Sequence, residues 1–109
     1  RLVDERFAGM HAVHTNNNLC LIVFGLKLAE GDLMRGLSQT VAMGLDSDCT
    51  AASAGSILGA VLGKRAIAPE LYECFHDRMD TYLKNTEAFS IRDMAKRYSA
   101  LAHKVHSRL

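Results

Sequence analysis

Two carboxylates, Asp46 and Asp48, stand two residues apart in the stretch Met43-Gly44-Leu45-Asp46-Ser47-Asp48-Cys49-Thr50. The segment that follows, up to Gly63, is built mostly of small and apolar residues. An acid pair is costly to place against so apolar a segment unless a cation or a set of backbone donors offsets its charge. Carboxylate oxygens, with the hydroxyls of Ser47 and Thr50 beside them, suit hard cations such as Mg²⁺, Mn²⁺ or Ca²⁺. The plainer alternative is that one aspartate caps the next helix while the other faces water. These residues by themselves leave both readings open. An EF-hand is excluded, because no acidic residue stands at the twelfth position of the loop. Two carboxylates are also too few for a strong Mg²⁺ site, so further oxygens must come from outside this segment.

Cys49 lies beside the acids at the start of the same helix. The helix field would lower its pKa and the two carboxylates would raise it. A second polar cluster comprises His11, His14, Thr15, Asn16, Asn17 and Asn18. Such a segment can cap a helix, bond to its own backbone, or present amides and an imidazole to a ligand. His14, Asn16 and Asn17 are the candidates for that last role. No spacing supports zinc or a Cys-His nucleophile, and Cys20 reads as a small core residue.

The elements that must position these groups are helical. One proline, Pro69, interrupts the chain, and alternation of β-branched residues is nearly absent. A first helix is expected over 17–29, with Leu19, Ile22, Val23, Leu26 and Ala29 on one stripe, ended by Gly31. Asp32 then caps a second helix reaching about Met43, through Leu33, Leu37, Thr40 and Val41. The third covers roughly 50–62 and stops at Gly63. Its Gly55, Gly59 and Gly63 recur every four residues, and a glycine inside a helix costs roughly 1 kcal/mol relative to alanine. That recurrence predicts close approach of a neighbouring backbone. Pro69 is expected to open a fourth helix through Leu71, Tyr72, Phe75, Met79 and Tyr82. Tyr72, Tyr82 and Tyr98 read as core or rim aromatics. A final helix starts with a capping box of Ser90 and Asp93. It carries an apolar face of Ile91, Met94, Ala95, Tyr98, Leu101, Ala102 and Val105, and a solvated basic face.

Composition narrows the function classes. The 109 residues suffice for one small domain, and 49% hydrophobic with 23% charged residues is the balance of a folded chain. A net charge of +1 gives no electrostatic case for nucleic acid or for an anionic membrane surface. No uncharged apolar run reaches the length needed to span a bilayer, and no signal peptide is recognisable. Three widely separated cysteines without a CxxC pattern read as free thiols in a reducing, cytoplasmic setting. The chain starts at Arg1 without an initiator Met and reads as part of a longer, processed or trimmed product.

Gly44-Leu45-Asp46-Ser47-Asp48-Cys49, running into Ala52-Ser53-Ala54-Gly55-Ser56-Ile57-Leu58-Gly59-Ala60 and on to Gly63 and Pro69, resembles the C-terminal signature of the ADP-ribosylglycohydrolase family. That signature is a Gly-Gly-Asp-Thr-Asp-Thr/Cys turn, an Ala- and Gly-rich helix, a Gly and a Pro-led segment. Val13 to Asn18 resembles a turn that some branches place one helix pair upstream, and Ser90 to Ala95 is similar to the family's closing helix. The likeness extends over roughly residues 11–105.

The resemblance implies an all-α fold, here the C-terminal portion of a compact multi-helix orthogonal bundle, with a binuclear Mg²⁺ or Mn²⁺ centre. It further implies hydrolysis of the glycosidic bond joining ADP-ribose to a side chain or related acceptor. Carried over, Asp46 and Asp48 are metal ligands acting in catalysis, and Cys49 takes the place of a ligating Thr. Leu45 replaces the usual second Gly, and Ser47 replaces Thr. The family's other acidic motif, of the Thr-Asp-Asp type, does not occur between Arg1 and Leu109. The chain therefore reads as a single helical domain, 1–109, that is the C-terminal part of a longer one. Expected partners are an N-terminal fragment of the same enzyme or a second copy, and an ADP-ribose-containing molecule or protein. The rival reading is a non-catalytic helical scaffold or self-association protein derived from a truncated relative.

Overall fold

The computed structural model describes residues 2–108. The chain divides into two compact units, 1–67 and 68–109.

The first unit is helical. A short helix α1 (Leu2–Arg6) lies against α2 (Thr15–Ala29), and α2, α3 (Leu33–Ala42) and α4 (Ser47–Leu62) pack on one another. Glu30 and Gly31 end α2 in left-handed conformations, and Asp32 caps α3 by accepting a hydrogen bond from the Arg35 amide at 2.6 Å. The signals that mark these ends in the sequence are therefore the ones that act.

Packing between the three helices relies on small residues. Ala29, Leu33 and Leu58 form the centre, with Leu26, Leu37, Leu62 and Ile67 around them. The buried stripe of α2 is Asn17, Leu21, Gly25 and Ala29, spaced strictly by four. Leu19 and Val23, expected on that stripe, are exposed. Small side chains let α3 approach α2 closely, and closeness rather than hydropathy selects the face. A Cβ added to Gly36 would stand 2.8 Å from Ala29 Cβ and 2.5 Å from Leu58 Cδ1. One added to Gly25 would overlap Thr40 Oγ1. Thr40 is fully buried and donates its hydroxyl proton to Gly36 O of its own helix at 2.7 Å, so it needs no outside partner. The regularly spaced glycines of α4 are not the sites of closest approach. The nearest atom to a Cβ on Gly59 is Ile67 Cδ1 at 4.0 Å, and on Gly55 it is Leu37 Cδ2 at 3.0 Å.

The second unit departs from the expected fourth helix. Pro69–Leu71 and Glu73–Phe75 are single 3₁₀ turns, after which His76 and Asp77 take successive left-handed conformations and stop any helix. A two-stranded antiparallel ladder follows, β1 (Arg78–Asp80) on β2 (Ala88–Ser90), with Met79 opposite Phe89. The helix α5 (Ile91–His106) then begins, with Ser90 Oγ accepting from the Asp93 amide at 3.1 Å. Asp77 adds to that start: its carboxylate accepts from Ser90 Oγ and from the Arg92 amide, each at 2.8 Å. These long-range bonds explain why the pattern from Leu71 to Tyr82 does not become a helix. The Asp77 carbonyl accepts from the Ile91 amide at 3.1 Å, in the place that a helix through this region would give to the Thr81 amide. The apolar face of α5 buries none of its residues; Met94 is half-buried and Tyr98, Leu101 and Val105 are exposed. Tyr72 is half-buried, whereas Tyr82 and Tyr98 are exposed and are not core aromatics.

Candidate metal centre

The acid pair lies wholly within the first unit, where the chain turns from α3 into α4. Gly44 and Leu45 are both left-handed, at φ 76° and 58°, and reverse the chain so that Asp46 arrives at the N-terminal end of α4. Leucine is strained in that region by about 1–2 kcal/mol, which a glycine would escape.

Asp46 occupies the N-cap position, yet its side chain makes no capping bond. The turn closes instead through Thr50, whose amide and hydroxyl both donate to Asp46 O at 3.0 Å. Thr50 is fully buried and its hydroxyl also reaches Ser47 O. It serves the backbone, and is not the free hydroxyl ligand that its place in the sequence offers.

Released from capping, the Asp46 carboxylate accepts a hydrogen bond from Asn18 Nδ2 of α2 at 2.5 Å. That amide is the main reason its carboxyl lies below the ordinary carboxylate range, with smaller help from Cys49 and Asp48. Asp48 and Cys49 project from the first turn of α4 and are exposed. One ligand atom from each of Asp46, Asp48 and Cys49 lies within 4.8 Å of the others. The Asp46 carboxylate, as acceptor and as charge, pushes the Cys49 thiol up, and Asp48 adds to the push.

The Asn-rich segment divides its duties. His14 caps α2, its Nδ1 accepting from the Asn16 amide at 3.2 Å. Asn16 is exposed. Asn17 is buried, and its Nδ2 donates to His11 O at 3.1 Å, tying down the turn that precedes α2. Asn18, which the residue types do not distinguish from its two neighbours, is the one that reaches the acids. Only the facing of α2 on α4 separates the three. Beside this end of the helices a cavity of about 200 Å³ is lined by Val3, Phe7, Met10, Asn17 and Leu45, among others. Cys20 is half-buried in α2, and Cys20, Cys49 and Cys74 are all free thiols.

The sequence model of the family described as ADP-ribosylglycohydrolase matches residues 3–107. This chain belongs to the ADP-ribosylglycohydrolase family. Its helical architecture agrees with that family's, the small ladder of the second unit apart. No curated protein and no solved structure matches the chain. ADP-ribosylglycohydrolases are metal-dependent, and among the described residues Asp46, Asp48 and Cys49 form a group close enough together to hold an ion. The donor chemistry fits unevenly: two carboxylates suit a hard divalent cation, whereas a thiol is a soft ligand that suits one less well. Among the described residues, no helix is long and apolar enough to cross a membrane.

Proposed function

We propose that this chain contributes one side of a Mg²⁺ or Mn²⁺ centre in a hydrolase that cleaves the glycosidic bond of ADP-ribosylated substrates. The observation that carries the reading is the convergence of Asp46, Asp48 and Cys49 within 4.8 Å at the start of α4. Asp46 and Asp48 would hold the cation, and Cys49 would stand beside them as a protonated neighbour unless the cation displaces its proton. When bound, the cation would polarise a water and the ribose hydroxyls near the anomeric carbon.

The residues themselves do the rest. The left-handed pair at Gly44 and Leu45 aims the loop, and Thr50 fixes its backbone. Asn18 further favours the charged form of the Asp46 carboxylate, which is ionised at neutral pH in any case. The two carboxylates leave coordination positions to be filled by oxygen donors from another segment of the enzyme, from a partner chain, or from the substrate. His14 and Asn16 stand at the exposed start of α2, where an ADP-ribose-containing ligand could meet them.

The test is titration of Mn²⁺ and Mg²⁺ against the chain and against Asp46→Asn and Asp48→Asn. Saturable binding that weakens by about ten-fold or more in each variant is expected for a lost carboxylate ligand. Binding no tighter in the parent than in both variants would overturn the proposal.

A further inference from the structure

Asp46 does not do what its position invites. It stands at the N-cap of α4, and its carboxylate ignores the helix's first amides. It turns to Asn18 Nδ2, on α2, at 2.5 Å, while Thr50 closes the backbone in its place. The carboxylate is thereby anchored from a second helix, and it remains within 4.8 Å of ligand atoms of Asp48 and Cys49. Asn18 meets this bond at a cost, since its own Oδ1, like that of Asn17, is buried with no hydrogen-bond partner among the described residues. A residue kept only to join two helices would be better apolar, because an unsatisfied buried carbonyl works against stability.

We infer that Asn18 is a positioning residue of the metal centre: its amide fixes the Asp46 carboxylate toward the cation and keeps it off the α4 N-terminus. The inference rests on the metal-centre reading above. A ligating carboxylate is generally oriented by a hydrogen bond from behind, and losing such a partner weakens metal binding by about 10–100-fold. The Asn18 amide is the one donor to the Asp46 carboxylate from another helix among the described residues.

The experiment compares Mn²⁺ binding, followed by electron paramagnetic resonance of the free ion, in the parent, Asn18→Leu, Asn18→Gln and Asp46→Asn. Thermal unfolding of each without metal runs in parallel. Asn18→Leu has nearly the same volume and no donor; Asn18→Gln keeps a donor on a longer arm. Expected is a loss of about ten-fold in Mn²⁺ affinity for Asn18→Leu with metal-free stability unchanged or raised, and a smaller loss for Asn18→Gln. Affinity in Asn18→Leu within about two-fold of the parent, while Asp46→Asn abolishes binding, overturns the positioning role alone. So does an equal loss in the Leu and Gln variants, or a loss that tracks metal-free stability. Two carboxylates with the rest of the shell filled by water should still bind Mn²⁺ weakly, so the absence of any saturable binding in the parent, weak binding included, overturns the metal-centre reading together with this one.

Discussion

Two glycine-to-alanine changes, one helix apart, should move stability in opposite directions. Alanine in place of a helical glycine gains roughly 1 kcal/mol from backbone entropy and propensity alone. At Gly59 little opposes that gain, because the nearest atom to the new Cβ is Ile67 Cδ1 at 4.0 Å, an ordinary contact. Gly59→Ala should therefore stabilise by about 0.5–1 kcal/mol. At Gly36 the same methyl would stand 2.5 Å from Leu58 Cδ1 and 2.8 Å from Ala29 Cβ. Leu58 can rotate away, but Ala29 Cβ is fixed to the backbone of α2, so the helices themselves must separate. Overpacking of this kind costs about 1–3 kcal/mol, and two overlaps at one buried position put it at the upper end. Subtracting the propensity gain leaves Gly36→Ala less stable by about 2 kcal/mol.

The assay is urea unfolding followed by helical circular dichroism. With a slope of about 1 kcal/mol/M for a chain this small, the midpoints should part by roughly 2–3 M, one on each side of the parent. Gly36→Ala as stable as the parent would refute the claim that α2 and α3 meet backbone-close at this point. Gly59→Ala as damaging as Gly36→Ala would restore the sequence expectation that the glycines of α4 mark the contact.

Leu45→Gly should stabilise the chain by about 1 kcal/mol, the left-handed strain less the entropy of glycine, and a lowered melting temperature would contradict it. Alkylation of exposed Cys49 should show a pH midpoint above that of an ordinary cysteine; Asp46→Asn, which removes the main acceptor and charge, should lower that midpoint, and an unmoved or raised one would refute the assigned cause. The signs for stability follow. The raised thiol contributes below the ordinary cysteine pKa and loses its contribution as pH rises through the folded value. The lowered Asp46 contributes above the ordinary carboxylate pKa, and that contribution disappears as pH falls through the folded value, which pH-dependent melting of the parent and Asp46→Asn can resolve.

Local signals made much of this molecule legible. Asp32 and Ser90 cap helices because a short oxygen-bearing side chain can reach the free amides of a first turn, whatever lies beyond. Gly31 and Gly63 end helices for an equally local reason, their positive φ. The acid pair, the small-residue helix after it and the family likeness were legible in the same way, because each is carried by contiguous residues.

Distance in sequence is where legibility stopped. Residues 69–82 carry a helical pattern, yet Asp77 bonds to Ser90 and Arg92, and two left-handed residues override the pattern. The glycines that matter for packing, Gly25 and Gly36, look less regular than those of α4; what singles them out is the atom each faces on another helix. Asn16, Asn17 and Asn18 are chemically identical, and their separate fates follow from a 100° rotation per residue around α2. That rotation exposes the first, buries the second and points the third at Asp46. The sequence by itself determined which groups could bind a cation, since ligand chemistry belongs to residue type. Only the tertiary structure decided that the carboxylate of Asp46 leaves its own helix for an amide on another, because a hydrogen bond depends on where two side chains meet.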